Sequence, residues 1–117
     1  MDNIIKIYHN PRCKKSREGL DILEKSGKEF EVIKYLENVP SKDELKTIVT
    51  YLGIDPINLV RKNEIIWKEK FRDKYLTDEE IFDAMITYPK LIERPIVVED
   101  DQAVIGRPAS KITSLIE

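Results

Sequence analysis

A single cysteine, Cys13, stands in the segment Tyr8-His9-Asn10-Pro11-Arg12-Cys13-Lys14-Lys15-Ser16-Arg17. Arg12, Lys14, Lys15 and Arg17 surround it with positive charge, which favours the thiolate over the thiol. Thiolate is the nucleophilic form of cysteine. A strand-like run, Ile4 to Tyr8, precedes this segment, and a helical pattern from Lys14 to Ser26 follows it. That order puts Cys13 at the first turn of a helix. Free amides point outward there, and the helix dipole favours negative charge. The same features make a cradle for anions.

Two neighbours bear on the thiol. Ser16 lies three residues on, where its hydroxyl could donate a hydrogen bond to the sulfur. His9 is the one histidine. It is placed either to tune the thiolate or move a proton, or to make an ordinary polar contact at a strand end. A lone cysteine is more commonly a small buried apolar residue. The strand before it, the helix after it and the cations around it favour the reactive reading. A Cys-x-x-Ser arrangement has no resolving thiol. After attack, the sulfur must be released by a thiol from another molecule.

Three arginines from distant segments are candidate anion ligands. Arg61 lies in Leu59-Val60-Arg61-Lys62-Asn63, Arg94 precedes Pro95, and Arg107 lies just before the last helical pattern. Guanidinium groups grip tetrahedral oxyanions through forked donors and stay charged at any relevant pH. Taken singly, each is better read as surface charge, and one sequence cannot derive their convergence. The residue before a proline is biased toward extended backbone, and the Arg94-Pro95 bond is a candidate cis peptide.

The elements that must hold these residues follow from periodicity. Ile4–Tyr8 and Phe30–Tyr35 read as strands around the helix Lys14–Ser26, with Gly27 as its stop signal. This β-α-β unit implies parallel strands. Ser41-Lys42-Asp43-Glu44 reads as a capping box opening a helix with Leu45, Ile48, Val49 and Leu52 on one face, ended by Gly53. Thr77-Asp78-Glu79-Glu80 opens another, with Ile81, Met85 and Tyr88 on one face and Pro89 beyond. Residues 56–75 read as short helical pieces. Pro95-Ile96-Val97-Val98 and Ala103-Val104-Ile105 form a hairpin across Glu99-Asp100-Asp101-Gln102. Pro108 suits an early position of a last helix carrying Ile112, Leu115 and Ile116. The expected fold is α/β: β-α-β, a helical block, then β-β-α. With the helical block as an insertion between the two halves, the layout is thioredoxin-like.

Composition bounds the rest. A chain of 117 residues suits one domain, 1–117, and 41% apolar with 36% charged residues is ordinary for a globular protein. A net charge of −2 argues against a general nucleic-acid binder. No apolar run approaches the roughly 20 residues that span a bilayer, so no membrane partner is expected. Met1 to Lys6 lacks a signal-peptide pattern, so the expected compartment is the cytoplasm. One cysteine excludes an intramolecular disulfide, and with one histidine it cannot make a structural zinc site alone.

Four blocks, taken in order, resemble the glutaredoxin-coupled arsenate reductase family (ArsC). They are Tyr8 to Arg17, Arg61-Lys62-Asn63, Arg94-Pro95-Ile96-Val97-Val98 and Ile105-Gly106-Arg107-Pro108, and Tyr35-Leu36-Glu37-Asn38 fits as well. The resemblance covers essentially the whole chain. It implies a thioredoxin-like fold with a helical insertion, and Cys13 as nucleophile. It matches Arg61, Arg94 and Arg107 to oxyanion-binding arginines, His9 and Ser16 to residues near the cysteine, and Pro95 to a cis proline. The implied reaction is arsenate reduction through a thiol–arsenate adduct. Glutathione serves as external thiol co-substrate, and glutaredoxin completes the resolution that frees arsenite. No bound metal, nucleotide or flavin is implied. The charge around Cys13 is closer to a branch of the family with a less defined substrate. The family also contains Spx-like redox regulators that bind RNA polymerase, which resemble Cys-x-x-Cys switches and generally lack the third arginine. Ser16 and Arg107 favour the enzyme over that reading. A general monothiol oxidoreductase remains a third possibility.

Overall fold

The chain is described by a computed structural model covering residues 4–117. Met1–Asn3, where the signal-peptide reading begins, lie outside the described residues. The described chain forms two compact units. One joins residues up to Asn38 with Arg94–Glu117, and the other is Val39–Glu93. The second unit is the helical block that the sequence places as an insertion.

In the first unit, strand β1 (Ile5–His9) leads to helix α1 (Lys14–Ser26) and strand β2 (Phe30–Lys34). β1 and β2 are parallel, with Ile7 opposite Val32, as a helical crossover requires. Gly27 ends α1 with φ 75°, a left-handed conformation that costs glycine nothing. The later strands β3 (Ile96–Glu99) and β4 (Gln102–Ile105) form the expected hairpin. β3 pairs antiparallel with β1, placing Ile96 opposite Tyr8 and Val97 opposite Ile7. The sheet order is therefore β2-β1-β3-β4. Ile5, Ile7, Leu23, Val97, Ile112 and Ile116 bury together as the core of this unit. That burial of aliphatic surface is the main force setting α1 and the last helix on the sheet.

The last helix begins later than its proline suggested. It runs Ser110–Ile116. Pro108 sits in the turn ahead of it, where its carbonyl accepts from Lys111 N–H at 3.0 Å. Ile112 and Ile116 are buried as expected, and Leu115 packs partly buried against the same cluster. The Arg94-Pro95 peptide is cis, as is Arg107-Pro108, which nothing in the sequence singled out.

The second unit opens with helix α2 (Lys42–Leu52), where Ser41 accepts from Glu44 N–H. A 3-10 turn (Pro56–Leu59), a short helix α3 (Ile65–Lys70), helix α4 (Asp78–Thr87) and a second 3-10 turn (Pro89–Leu91) follow. The Thr77 box closes in both directions: Thr77 accepts from Glu80 N–H, and the Glu80 carboxylate accepts from Thr77 N–H. Leu45, Ile48, Leu59, Trp67, Ile81 and Met85 are buried in this unit. On its surface Lys42 reaches Glu79 and Asp83 at 2.6 and 2.9 Å, and Lys46 reaches Glu79 at 2.5 Å, joining α2 to α4. No helix among the described residues is long and apolar enough to cross a membrane. The last helix of the first unit is numbered α5 below.

Candidate active site

The loop between β1 and α1 is tied together before any ligand arrives. Asn10 organises it. Its carbonyl accepts from Cys13 N–H and its side-chain oxygen from Arg12 N–H, both at 3.0 Å. Asparagine side chains make such local turns readily, which explains an Asn ahead of Pro11. Asn10 is buried, and the reading from sequence gave it no part. Its position three residues before a cation-flanked cysteine was the available signal.

Cys13 is the N-cap of α1, with extended backbone at φ −95° and ψ 123°. It stands one residue ahead of the helix proper. Its carbonyl takes the first helical bond, from Arg17 N–H at 3.0 Å. The thiol is half-buried and makes no capping hydrogen bond of its own. The Ser16 and Lys15 amides act on it at longer range, as the open end of a helix does. Burial raises the Cys13 pKa, but it is outweighed by the Ser16 amide, the Arg94 guanidinium and the Lys15 amide, and the net direction is down.

The cations that act on the sulfur are not those next to it in sequence. Arg107 Nη2 donates to Cys13 Sγ at 3.4 Å. Its Nε donates to the Arg94 carbonyl at 2.8 Å, so one arginine's backbone aims the other's side chain. The Arg94 guanidinium is also near enough to lower the thiol pKa. Its Nε is buried without a partner among the described residues. By contrast, Arg17 turns to the Pro11 carbonyl at 3.0 Å, and Lys15 pairs with Glu18 at 3.7 Å. Arg12, Lys14, Lys15 and Arg17 are all exposed. Water screens such charges strongly, whereas Arg107 acts at contact and Arg94 from nearby, both partly out of solvent.

Ser16 corrects one expectation. Its hydroxyl faces away from Cys13, toward His9 Nδ1 at 2.6 Å and Asn10 N–H at 2.9 Å. Ser16 is fully buried and His9 nearly so, at 4% exposure. A buried hydroxyl goes to whichever polar groups would otherwise lack partners, and here these are the histidine and the loop amide. Ser16 therefore reaches the thiol through its backbone N–H, and His9 reaches it only through Ser16. Burial pushes the His9 pKa down; Lys34 and Arg17 add to this, against Ser16 and Glu24. The imidazole stays neutral near neutral pH.

Arg61 lies in the helical unit, at the bridge between Val60 and Ile92. There its Nη1 pairs with Glu64 at 2.6 Å and its Nε with Glu93 at 3.4 Å. Of the residues singled out from sequence, the structure thus gathers His9, Cys13, Ser16, Arg94 and Arg107 in the first unit and sets Arg61 in the second.

Comparison with known proteins agrees with this architecture. The profile of the ArsC family matches residues 8–115. An arsenate reductase from Vibrio cholerae superposes with a TM-score of 0.91 at 45% identity, covering 97% of this chain and 98% of that one. An arsenate reductase of Neisseria meningitidis is 40% identical over 96% of this chain and 97% of its own. The Escherichia coli protein YfgD, of uncharacterized activity, is 42% identical over 99% of both chains.

Proposed function

This chain belongs to the ArsC family, and on that premise we propose that it is an arsenate reductase working through the Cys13 thiolate. One observation carries the reading: a half-buried thiol with a depressed pKa lies 3.4 Å from a guanidinium, with a second guanidinium beside it. Such a pairing serves two steps. It keeps sulfur ionised before reaction, and it offers forked donors to an oxyanion as charge shifts onto its oxygens.

In the proposed sequence, Arg94 and Arg107 hold arsenate, and the Arg61-Lys62-Asn63 motif is what assigns Arg61 to oxyanion binding as well. The Cys13 thiolate attacks arsenic. A sulfur–arsenic bond forms and hydroxide leaves, taking a proton to become water. Glutathione thiolate then attacks the Cys13 sulfur. The sulfur–arsenic bond breaks with its electron pair going to arsenic, which falls from the pentavalent to the trivalent state and departs as arsenite. A mixed disulfide of Cys13 and glutathione remains. Glutaredoxin attacks the glutathione sulfur and restores the Cys13 thiolate. The neutral His9 and the Ser16 hydroxyl keep the Cys13 loop in place. The lone cysteine of the sequence fits this dependence on external thiols.

The test is turnover of arsenate by purified protein supplied with glutathione and glutaredoxin. Cys13→Ser is the control, and a rate no higher than that control refutes the assignment. A parallel assay on a glutathionylated peptide separates it from general monothiol exchange. Arsenate turnover should fall in Arg107→Ala, whereas a pure thiol exchanger should be indifferent to that change.

A further inference from the structure

The guanidinium of Arg61 is already engaged. Glu64 Oε2 lies 2.6 Å from Nη1 and Glu93 Oε1 lies 3.4 Å from Nε, and the three side chains are only 22, 27 and 29% exposed. Backbone bonds fix the segments that carry them. Arg61 N–H donates to Leu91 O at 2.7 Å, Glu93 N–H to Leu59 O at 2.9 Å, and Glu64 N–H to Arg61 O at 3.1 Å. One cation and two carboxylates sum to −1. A tetrahedral dianion reaching Arg61 therefore meets a guanidinium whose charge its two carboxylate partners offset, with Lys62 as the other cation at the adjoining recess. The group is still not closed. Its Nη2 carries no hydrogen bond to a described residue. A recess of about 220 Å³ lined by Asn58, Arg61, Lys62, Asn63 and Glu93 adjoins it.

We propose that Glu64 and Glu93 are positioning residues that hold Arg61 and weaken its grip on the oxyanion, so that they set KM and leave kcat alone. The inference rests on the reading that Arg61 binds substrate. Its physics is competition. The carboxylates occupy two edges of the fork that a bidentate oxyanion would use, and they repel a like charge at short range. Replacing either carboxylate by its amide keeps size and an acceptor oxygen but removes a negative charge.

The experiment compares Glu64→Gln, Glu93→Gln, Arg61→Ala and the double variant Arg61→Ala/Glu64→Gln. Arsenate KM and kcat are measured, and sulfate binding is followed by calorimetry, which needs no turnover. Each glutamine variant should lower KM and tighten sulfate binding by roughly threefold to fivefold, as for a partly screened ion pair, with kcat within about twofold of the parent. The gain should shrink at high salt and vanish in the Arg61→Ala background. If Arg61→Ala alone leaves KM and sulfate affinity unchanged, Arg61 is not a substrate ligand, and both that assignment and this inference fall. If Arg61→Ala weakens both while neither glutamine variant tightens either, the clamp is refuted and the assignment of Arg61 stands. A gain that persists without Arg61 also refutes it, since the effect then acts on the anion directly. Two independent glutamine variants keep the test decisive if one of them fails to fold.

Discussion

Removing Arg107 should raise the pH at which Cys13 becomes reactive, and the structure sets the scale. The guanidinium donates to the sulfur at 3.4 Å. Two unit charges at that distance attract by about 1.2 kcal/mol at the dielectric of water, and by about 5 kcal/mol at an effective value of ~20. A half-buried thiol in contact with solvent belongs nearer the lower figure. A loss of about 1.2 kcal/mol reduces the thiolate-to-thiol ratio roughly eightfold wherever the thiol form predominates. The sign is fixed: losing a cation raises the thiolate midpoint, so Arg107→Ala should move the pH profile to higher pH. Arg107→Lys, which keeps a charge but lacks the fork, should fall between. The assay is the rate of Cys13 alkylation against pH, read beside thiolate ultraviolet absorbance. A variant profile superimposable on the parent would show that Arg107 does not stabilise the thiolate. The electrostatic account of the site would then fail whatever the substrate.

Three further outcomes follow from the same structure. Ser16→Ala strips a partner from buried His9 Nδ1 and from Asn10 N–H, and should lower stability by about 1–3 kcal/mol in urea unfolding. It should move the Cys13 profile far less than Arg107→Ala does, because the Ser16 group acting on sulfur is its backbone amide. Gly106→Ala would place a methyl 2.7 Å from Ile112 Cδ1 and 2.9 Å from Pro95 Cγ. Overpacking of that kind should cost about 1–3 kcal/mol, seen as a lower Tm. Glu79, between Lys42 and Lys46, has its pKa lowered to about 2. Its contribution is therefore complete above the unfolded carboxylate value and is lost as pH falls from about 4.5 toward 2. Glu79→Gln should flatten the stability profile in that window, and high salt should do the same to the parent.

Much of the layout was legible because it depends on neighbours in sequence. The helix Lys14–Ser26 is bounded by a cysteine-containing turn and by Gly27, and its limits match the structure residue for residue. Thr77 and Glu80 form the expected reciprocal cap, because both halves of that motif lie within one turn. The hairpin is framed by Pro95 and an acidic turn, in which Asp100 takes φ 56°. The last helix was displaced because proline reads as a helix opener only by average preference, and here a turn at Pro108 intervenes. The Ser16 hydroxyl was misdirected for a different reason. A three-residue spacing brings it near Cys13, but a side chain's direction is set by which buried groups compete for it.

By itself, the sequence determined that the one cysteine sits where a strand gives way to a helix, and that any bond it makes must be undone by another molecule. The first point follows from local patterning and the second from a count of one, which no packing can change. Only the tertiary structure decided which charges govern that cysteine. The cations beside it in the chain extend into water and are screened, while Arg94 and Arg107, 81 and 94 residues away in sequence, are brought to it by the pairing of β3 with β1 and β4. Electrostatic influence depends on distance and solvent exposure, and both are properties of the fold.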